Sequence, residues 1–166
     1  MNWEIRFLYW LQLHRTPRRD RFWYAVTWLG YGAGLPLLTS VLLLISPSYK
    51  MTGFASLTAI GVMELLFNHF LKAIIGRDRP FAAHPELVAV GREPGDKSFP
   101  SGHTSSAFAC ALIFCAALPV WAGVIALTVA SMIAFSRVYL AVHYPTDVLG
   151  GIFAAILVDS VVLCFF

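Results

Sequence analysis

Charge is scarce in this 166-residue chain: Asp, Glu, Lys and Arg make up 13% of it, against roughly 25% in an ordinary soluble domain. Hydrophobic residues reach 58% and mean hydropathy is +0.72, a composition that excludes the usual soluble class and implies an integral membrane protein. The formal net charge is only +3. The cations sit in polar islands beside apolar runs, so a nucleic-acid-binding stripe is excluded, whereas an anionic lipid head group suits them. Cysteine is sparse too. Cys110, Cys115 and Cys164 fall inside apolar runs, with neither metal-ligand spacing nor the even number of a disulfide framework, and read as buried, reduced thiols. No cleavable signal peptide is expected, because Met1 to Leu13 holds Glu4 and Arg6 and lacks a continuous apolar core. No strand precedes GYGAG (Gly30 to Gly34), so its Gly-x-x-x-Gly spacing indicates close helix packing rather than nucleotide binding.

What the chain does have is apolar runs of near-spanning length, at about Phe22 to Ile45, Thr52 to Ile75, Gly102 to Leu118, Val120 to Leu140 and Thr146 to Phe166. The expected fold is all-α, a polytopic membrane bundle of about five transmembrane helices forming a single domain over residues 1–166. Before them, Trp3, Phe7, Leu8, Trp10 and Leu11 recur at roughly helical spacing, and Arg15, Arg18, Arg19 and Arg21 follow. That pattern predicts a short amphipathic helix lying in the headgroup zone, within an interfacial segment of residues 1–21. The links at Ser46 to Met51, Pro119 and Ala141 to Pro145 are short and force neighbouring spans antiparallel. Only Gly76 to Pro100 is long, and its Pro, Gly and charged residues suit an irregular loop over a site.

Three polar islands interrupt these runs: KAIIGRDRP (Lys72 to Pro80), FPSGH (Phe99 to His103) and SRVYLAVHYPTD (Ser136 to Asp147). Alternating crossings put all three at one membrane face, and charge at that depth signals function. Lys72, Arg79 and Arg137 are the cations to hold a phosphate ester. Ser101 suits a helix cap and Gly102 a close approach of anion to backbone, while Pro145 suits the first position of the last helix. His143 and Asp147 are four residues apart, which lets the carboxylate hold one imidazole nitrogen and leave the other as nucleophile, with His103 protonating the leaving oxygen. On chemistry alone the two histidines can exchange these tasks.

These positions resemble the three signature motifs of the type 2 phosphatidic acid phosphatase superfamily: Lys72 with Arg79 and Pro80, then Pro100 to His103, then Ser136, Arg137, His143 and Asp147. The resemblance implies His143 as a nucleophile forming a phosphohistidine, Asp147 as its orienting partner and His103 as the acid. It implies phosphate binding by Lys72, Arg79, Ser101, Gly102 and Arg137, and no metal or other cofactor. The layout, with RPFAAHPEL followed by FPSGHT, is similar within the superfamily to bacterial undecaprenyl pyrophosphate phosphatases. The expected partner is thus a phosphorylated lipid among membrane lipids, with no nucleic acid. Phosphatidylglycerol phosphate, phosphatidic acid and lipid A phosphates are the alternative substrates, a small anion transporter is the non-enzymatic one, and a soluble vanadate-dependent haloperoxidase fits the spans poorly.

Some residues stay open. Arg77, Arg92 and Lys97 either contact a second phosphate or are solvated loop charges. Glu64, Asn68 and Lys72, spaced by four, form a stripe that extends the pocket into the bundle or joins helices by hydrogen bonds. His69 has no assigned role, and Asp159 is expected to reach the far surface. Arginines before the first span favour a cytoplasmic site by the positive-inside rule, whereas the resemblance implies a bacterial inner (plasma) membrane with the site facing outward.

Overall fold

The structure, a computed structural model, describes residues 2–166, and among them every regular element is helical. In chain order these are α1 (Trp3–Leu13), α2 (Pro17–Leu29), a 3-10 turn (Tyr31–Ala33), α3 (Gly34–Ile45), α4 (Lys50–Val62), a π-helical stretch (Met63–Leu71), α5 (Lys72–Ile75), α6 (Pro80–Ala83), α7 (Gly102–Ala117), α8 (Val120–Tyr139) and α9 (Pro145–Val162). Three segments are long and apolar enough to cross a membrane: α8, α9 and the continuous rod that begins with α4. A fourth is α2 with α3, which bend by 44° at the turn between them. The fifth expected span, α7, has 16 residues, short of the roughly 20 that cross a bilayer core. It is instead the axis of the bundle, packed by α4, α8 and α9. Its Ala, Ser, Thr and Cys side chains let those neighbours approach closely, and Thr104 to Ala111 are all buried.

Expectations for GYGAG and for the cysteines need correction. GYGAG breaks its helix rather than simply packing it: Gly32 and Ala33 both have positive φ, a conformation that interrupts the hydrogen-bond ladder. A Cβ on Gly30 would meet Ile133 and His103, whereas Gly34 has nothing within 4 Å, so only the first glycine serves close contact. Of the cysteines, all free, only Cys110 is buried; Cys115 and Cys164 are exposed.

The N-terminal helix forms, capped by the Asn2 carboxamide, which accepts from the Ile5 amide. Its two faces separate: Trp3, Phe7 and Trp10 point outward, while Ile5, Leu8 and Leu11 are buried against Leu87, Val138, Leu140, Val142 and Tyr144. Leu8 and Leu11 therefore belong to a protein interface, not to the outward aromatic face with which their spacing groups them. Gln12 fixes this docking by donating to the Glu86 carbonyl and accepting from the Val88 amide, and Arg15 donates to the Val88 and Tyr139 carbonyls. The long loop is thus tied down at Glu86 and Val88, and its residues 90–96 roof the site.

Candidate active site

Lys72, Arg79, Gly102, His103, Arg137 and His143 line one cavity of about 380 Å³. They arrive from four directions, because α5 ends at the same membrane face where α7 and α9 begin and α8 ends. The remaining wall comes from Tyr24, Thr27, Trp28 and Tyr31 of the α2 segment, and the roof from Val90, Arg92, Pro94, Gly95 and Asp96.

His143 is held in the link between α8 and α9, where it is 1% exposed. Its Nε2 lies 3.0 Å from Arg79 Nη1. A guanidinium only donates, so Nε2 is the unprotonated acceptor and the ring proton belongs on Nδ1. Nδ1 faces Asp147 Oδ2 at 3.4 Å, with no completed hydrogen bond. Burial is the main cause that holds His143 well below the usual imidazole range, and the charges of Arg79, Arg137 and Lys72 add to it. Asp147, in the first turn of α9 behind Pro145, is fully buried. Its Oδ2 accepts from the Tyr144 amide at 2.9 Å, a capping arrangement that fixes the carboxylate relative to the loop carrying His143.

Arg79 is 4% exposed. Pro80 starts α6 and leaves Arg79 extended, from which it donates to the Val142 carbonyl at 2.7 Å and to the Asp96 carbonyl and carboxylate at 2.7 and 2.8 Å. Lys72 Nζ meets the other Asp96 oxygen at 2.5 Å. Arg137, buried at the end of α8, donates to the Thr27 hydroxyl at 2.6 Å and keeps its Nε without a partner. Asp96 therefore places a carboxylate between two of the three cations. Burial on its own would raise the Asp96 carboxyl, but the Lys72 hydrogen bond and the Arg79 charge outweigh it and hold the group well below the usual range. Asp96 has no role assigned to it from the sequence; its signal is that it is the acid preceding PSGH most closely, in a loop facing three cations.

His103 is in the first turn of α7, with Nε2 buried and unpartnered, available to a ligand. Gly102 leaves room only for the Asn68 amide, which would stand about 3.0 Å from an added Cβ. Ser101 occupies the cap position of α7 but makes no capping side-chain bond. Its buried hydroxyl instead accepts from Thr104 at 2.9 Å, and Ser101 is not among the cavity-lining residues. The Glu64, Asn68 and Lys72 stripe does extend the site downward: these three line a recess of about 240 Å³ with Gly102, His103 and Ser106, and Glu64 accepts from the Ser106 hydroxyl. Glu64 and Asn68 lie on the π-helical stretch Met63–Leu71, and Lys72 opens α5 directly after it.

The three loop cations divide. Arg92 lines the cavity and donates to the Tyr31 hydroxyl. Lys97 pairs with Asp78 at 2.7 Å, both exposed. Arg77 turns away from the cavity, onto Asp147 and Glu4 at 2.7 and 2.8 Å. Asp159 does not reach the far surface; it is 3% exposed, with neither carboxylate oxygen partnered. Among the described residues, no three His, Cys, Asp or Glu side chains are grouped as metal ligands.

Helices converging on a histidine–carboxylate pair ringed by Lys and Arg define a class of membrane protein, and the PAP2 superfamily profile matches residues 52–166. The chain belongs to the PAP2 superfamily. It is 30% identical to the undecaprenyl-diphosphatase BcrC of Bacillus subtilis over 95% of this chain and 80% of that protein. It is 32% identical to the putative undecaprenyl-diphosphatase YbjG of Escherichia coli over 74% of this chain, and spans 62% of that relative's length. Among crystal structures, the PAP2 type phosphatidylglycerolphosphate phosphatase of Bacillus subtilis superposes with a TM-score of 0.78 at 27% identity, covering 98% of this chain and 83% of that one. Aquifex aeolicus LpxE superposes at 0.87 with 24% identity, covering 99% and 96%, and shares the fold.

Proposed function

We propose that this protein is an integral membrane lipid phosphatase that works through a phosphohistidine and takes undecaprenyl diphosphate to undecaprenyl phosphate. One observation carries the mechanism: Nε2 of His143 lies 3.0 Å from Arg79 Nη1, at a cavity lined by Lys72, Arg79 and Arg137. The substrate phosphate displaces the Asp96 carboxylate from Lys72 and Arg79 and takes up their charge. Nε2 of His143 attacks phosphorus, the bond from phosphorus to the leaving oxygen breaks, and His103 gives that oxygen a proton. The imidazolium formed keeps its Nδ1 proton directed at Asp147. Water then attacks the phosphohistidine, His103 takes a proton from it, the P–N bond breaks, and inorganic phosphate leaves. Each residue acts through position and charge, and none of these steps calls for a metal.

The diphosphate assignment is supported by the similarity to BcrC and by Arg92. That fourth cation on the same cavity, held by the Tyr31 hydroxyl, would meet a phosphate next to the one being cleaved. The site is proposed to face outward from a bacterial inner (plasma) membrane. Phosphate release from undecaprenyl diphosphate, phosphatidylglycerol phosphate, phosphatidic acid and lipid A phosphate, in detergent with excess EDTA, tests the reading. The expected result is fastest release from the diphosphate and an acid-labile phosphoenzyme absent from His143→Ala. Full activity in His143→Ala, or its loss on chelation, overturns the mechanism; preference for a monophosphate overturns the substrate. Impermeant labelling of Arg92→Cys in intact cells, in a background lacking the three native cysteines, decides the orientation.

A further inference from the structure

Asp147 has two oxygens, and the fold uses them differently. Oδ2 takes the Tyr144 amide and faces His143, while Oδ1 accepts from Arg77 Nη1 at 2.7 Å. The same Arg77 nitrogen also donates to the Thr146 hydroxyl at 2.7 Å, and Nη2 donates to Glu4 Oε2 at 2.8 Å. The Glu4 carboxylate closes the ring, its Oε1 accepting from the Thr146 hydroxyl at 2.6 Å and the Thr146 amide at 3.1 Å. Arg77 is further fixed by stacking, its guanidinium carbon 3.8 Å from the centre of the Tyr144 ring. Neither Arg77 nor Glu4 lines the cavity, so neither is placed to touch substrate.

We infer that Arg77 and, through it, Glu4 of α1 are positioning residues that hold the Asp147 carboxylate toward His143 and set the proton affinity of that pair. This rests on the phosphohistidine reading for its catalytic meaning. An Asp147 bonded only at Oδ2 is free to swing about its side-chain bond; Arg77 removes that freedom by anchoring the opposite oxygen through Nη1 while its Nη2 is held by Glu4. The charges alternate from Asp147 through Arg77 to Glu4, with the neutral His143 at the end of the series. Arg77 offsets part of the Asp147 field felt by His143, and Glu4 offsets part of Arg77. The other ionisable groups around His143 are Arg79 against Nε2, Lys72, Arg137, His103, Asp96 and Arg92. Tyr144 is the remaining ionisable neighbour and stacks on Arg77, whereas none of the charged groups contacts Arg77, so its effect is separable from theirs. The inference also gives α1 a task that outward-facing tryptophans do not explain: it delivers Glu4 to the back of the site.

The test uses the full chain in detergent with a water-soluble short-chain prenyl diphosphate, and in parallel the 15N signals of His143 in the substrate-free protein. Arg77→Gln is expected to lower kcat by 10- to 100-fold with KM within about twofold. It should also raise the protonation midpoint of the His143–Asp147 pair by about one pH unit. Adding Glu4→Gln, which keeps acceptors for Thr146, should bring the midpoint back toward wild type. Arg77→Lys should retain it within about 0.3 unit, because the charge is retained. A merely structural role gives a double variant worse than either single one with no reversal; that result, or an unmoved midpoint, overturns the inference. Failure of the phosphohistidine reading is distinguishable, since it shows as activity in His143→Ala while the substrate-free midpoints still move.

Discussion

Helix α9 carries a buried carboxylate near each end, and the two live in opposite circumstances. Asp147, in the first turn, has an arginine on one oxygen and a backbone amide and a histidine at the other. Asp159, in the last turn, is as deeply enclosed but has no hydrogen-bond partner at either oxygen. The helix start offers free amides, a positive dipole end and a loop able to bring up charge; the opposite end offers apolar neighbours. A carboxylate thus finds partners where polar islands converge and none where they do not.

The contrast is tested most severely at His143. His143→Ala should reduce kcat by about 10⁴-fold or more, the scale for losing a nucleophile, measured as phosphate release. Asp147→Asn keeps the shape of the side chain and removes its charge. It should cost about 10³- to 10⁴-fold in kcat, by analogy with the orienting aspartate of a catalytic triad. At the other end, Asp159→Leu should leave activity within about twofold. It should raise the melting temperature in detergent, by an amount corresponding to about 1–3 kcal/mol, because an unsatisfied buried polar group is removed. Equal damage from the two α9 substitutions would erase the distinction.

Two smaller effects follow from charge at the site. Because burial and three cations disfavour the imidazolium of His143, the proposed nucleophile stays unprotonated below the usual imidazole range. The acid limb of kcat/KM should therefore fall well below pH 6.5 rather than near it. Asp96→Asn removes the carboxylate that competes with phosphate for Lys72 and Arg79, so KM should fall by about two- to fivefold, the modest scale of a half-exposed ion pair. As the Asp96 carboxyl is held low, that difference should persist across neutral and mildly acidic pH. It should vanish only when acid protonates the wild-type group, below the ordinary carboxylate range.

Much of the site was legible because its residues stand in compact local patterns. His143 and Asp147 lie one helical turn apart, Pro145 announces the start of α9, and Pro80 announces the extended Arg79, all readable from spacing and backbone chemistry. Asp96 and Glu4 were not legible in this way. Glu4 reads as one charge in an amphipathic helix, and its meaning depends on Arg77 and Thr146, 73 and 142 residues away. Arg77 itself sits among cations suited to phosphate, and only its orientation separates it from them. The same limit applies to the first span. GYGAG has the spacing of a packing motif, but the left-handed backbone at Gly32 and Ala33 makes it a bend.

By itself the sequence determined that the chain is helical and membrane-embedded, since apolar run length and the lack of charge leave few other solutions. The parity of the crossings also put the three polar islands at one face. Tertiary structure alone decided which oxygen of Asp147 faces His143, which arginine meets the cavity and which one braces it, and which face of α1 is buried. Those outcomes depend on side-chain direction and on contacts between residues far apart in the chain, which periodicity and motif spacing do not encode.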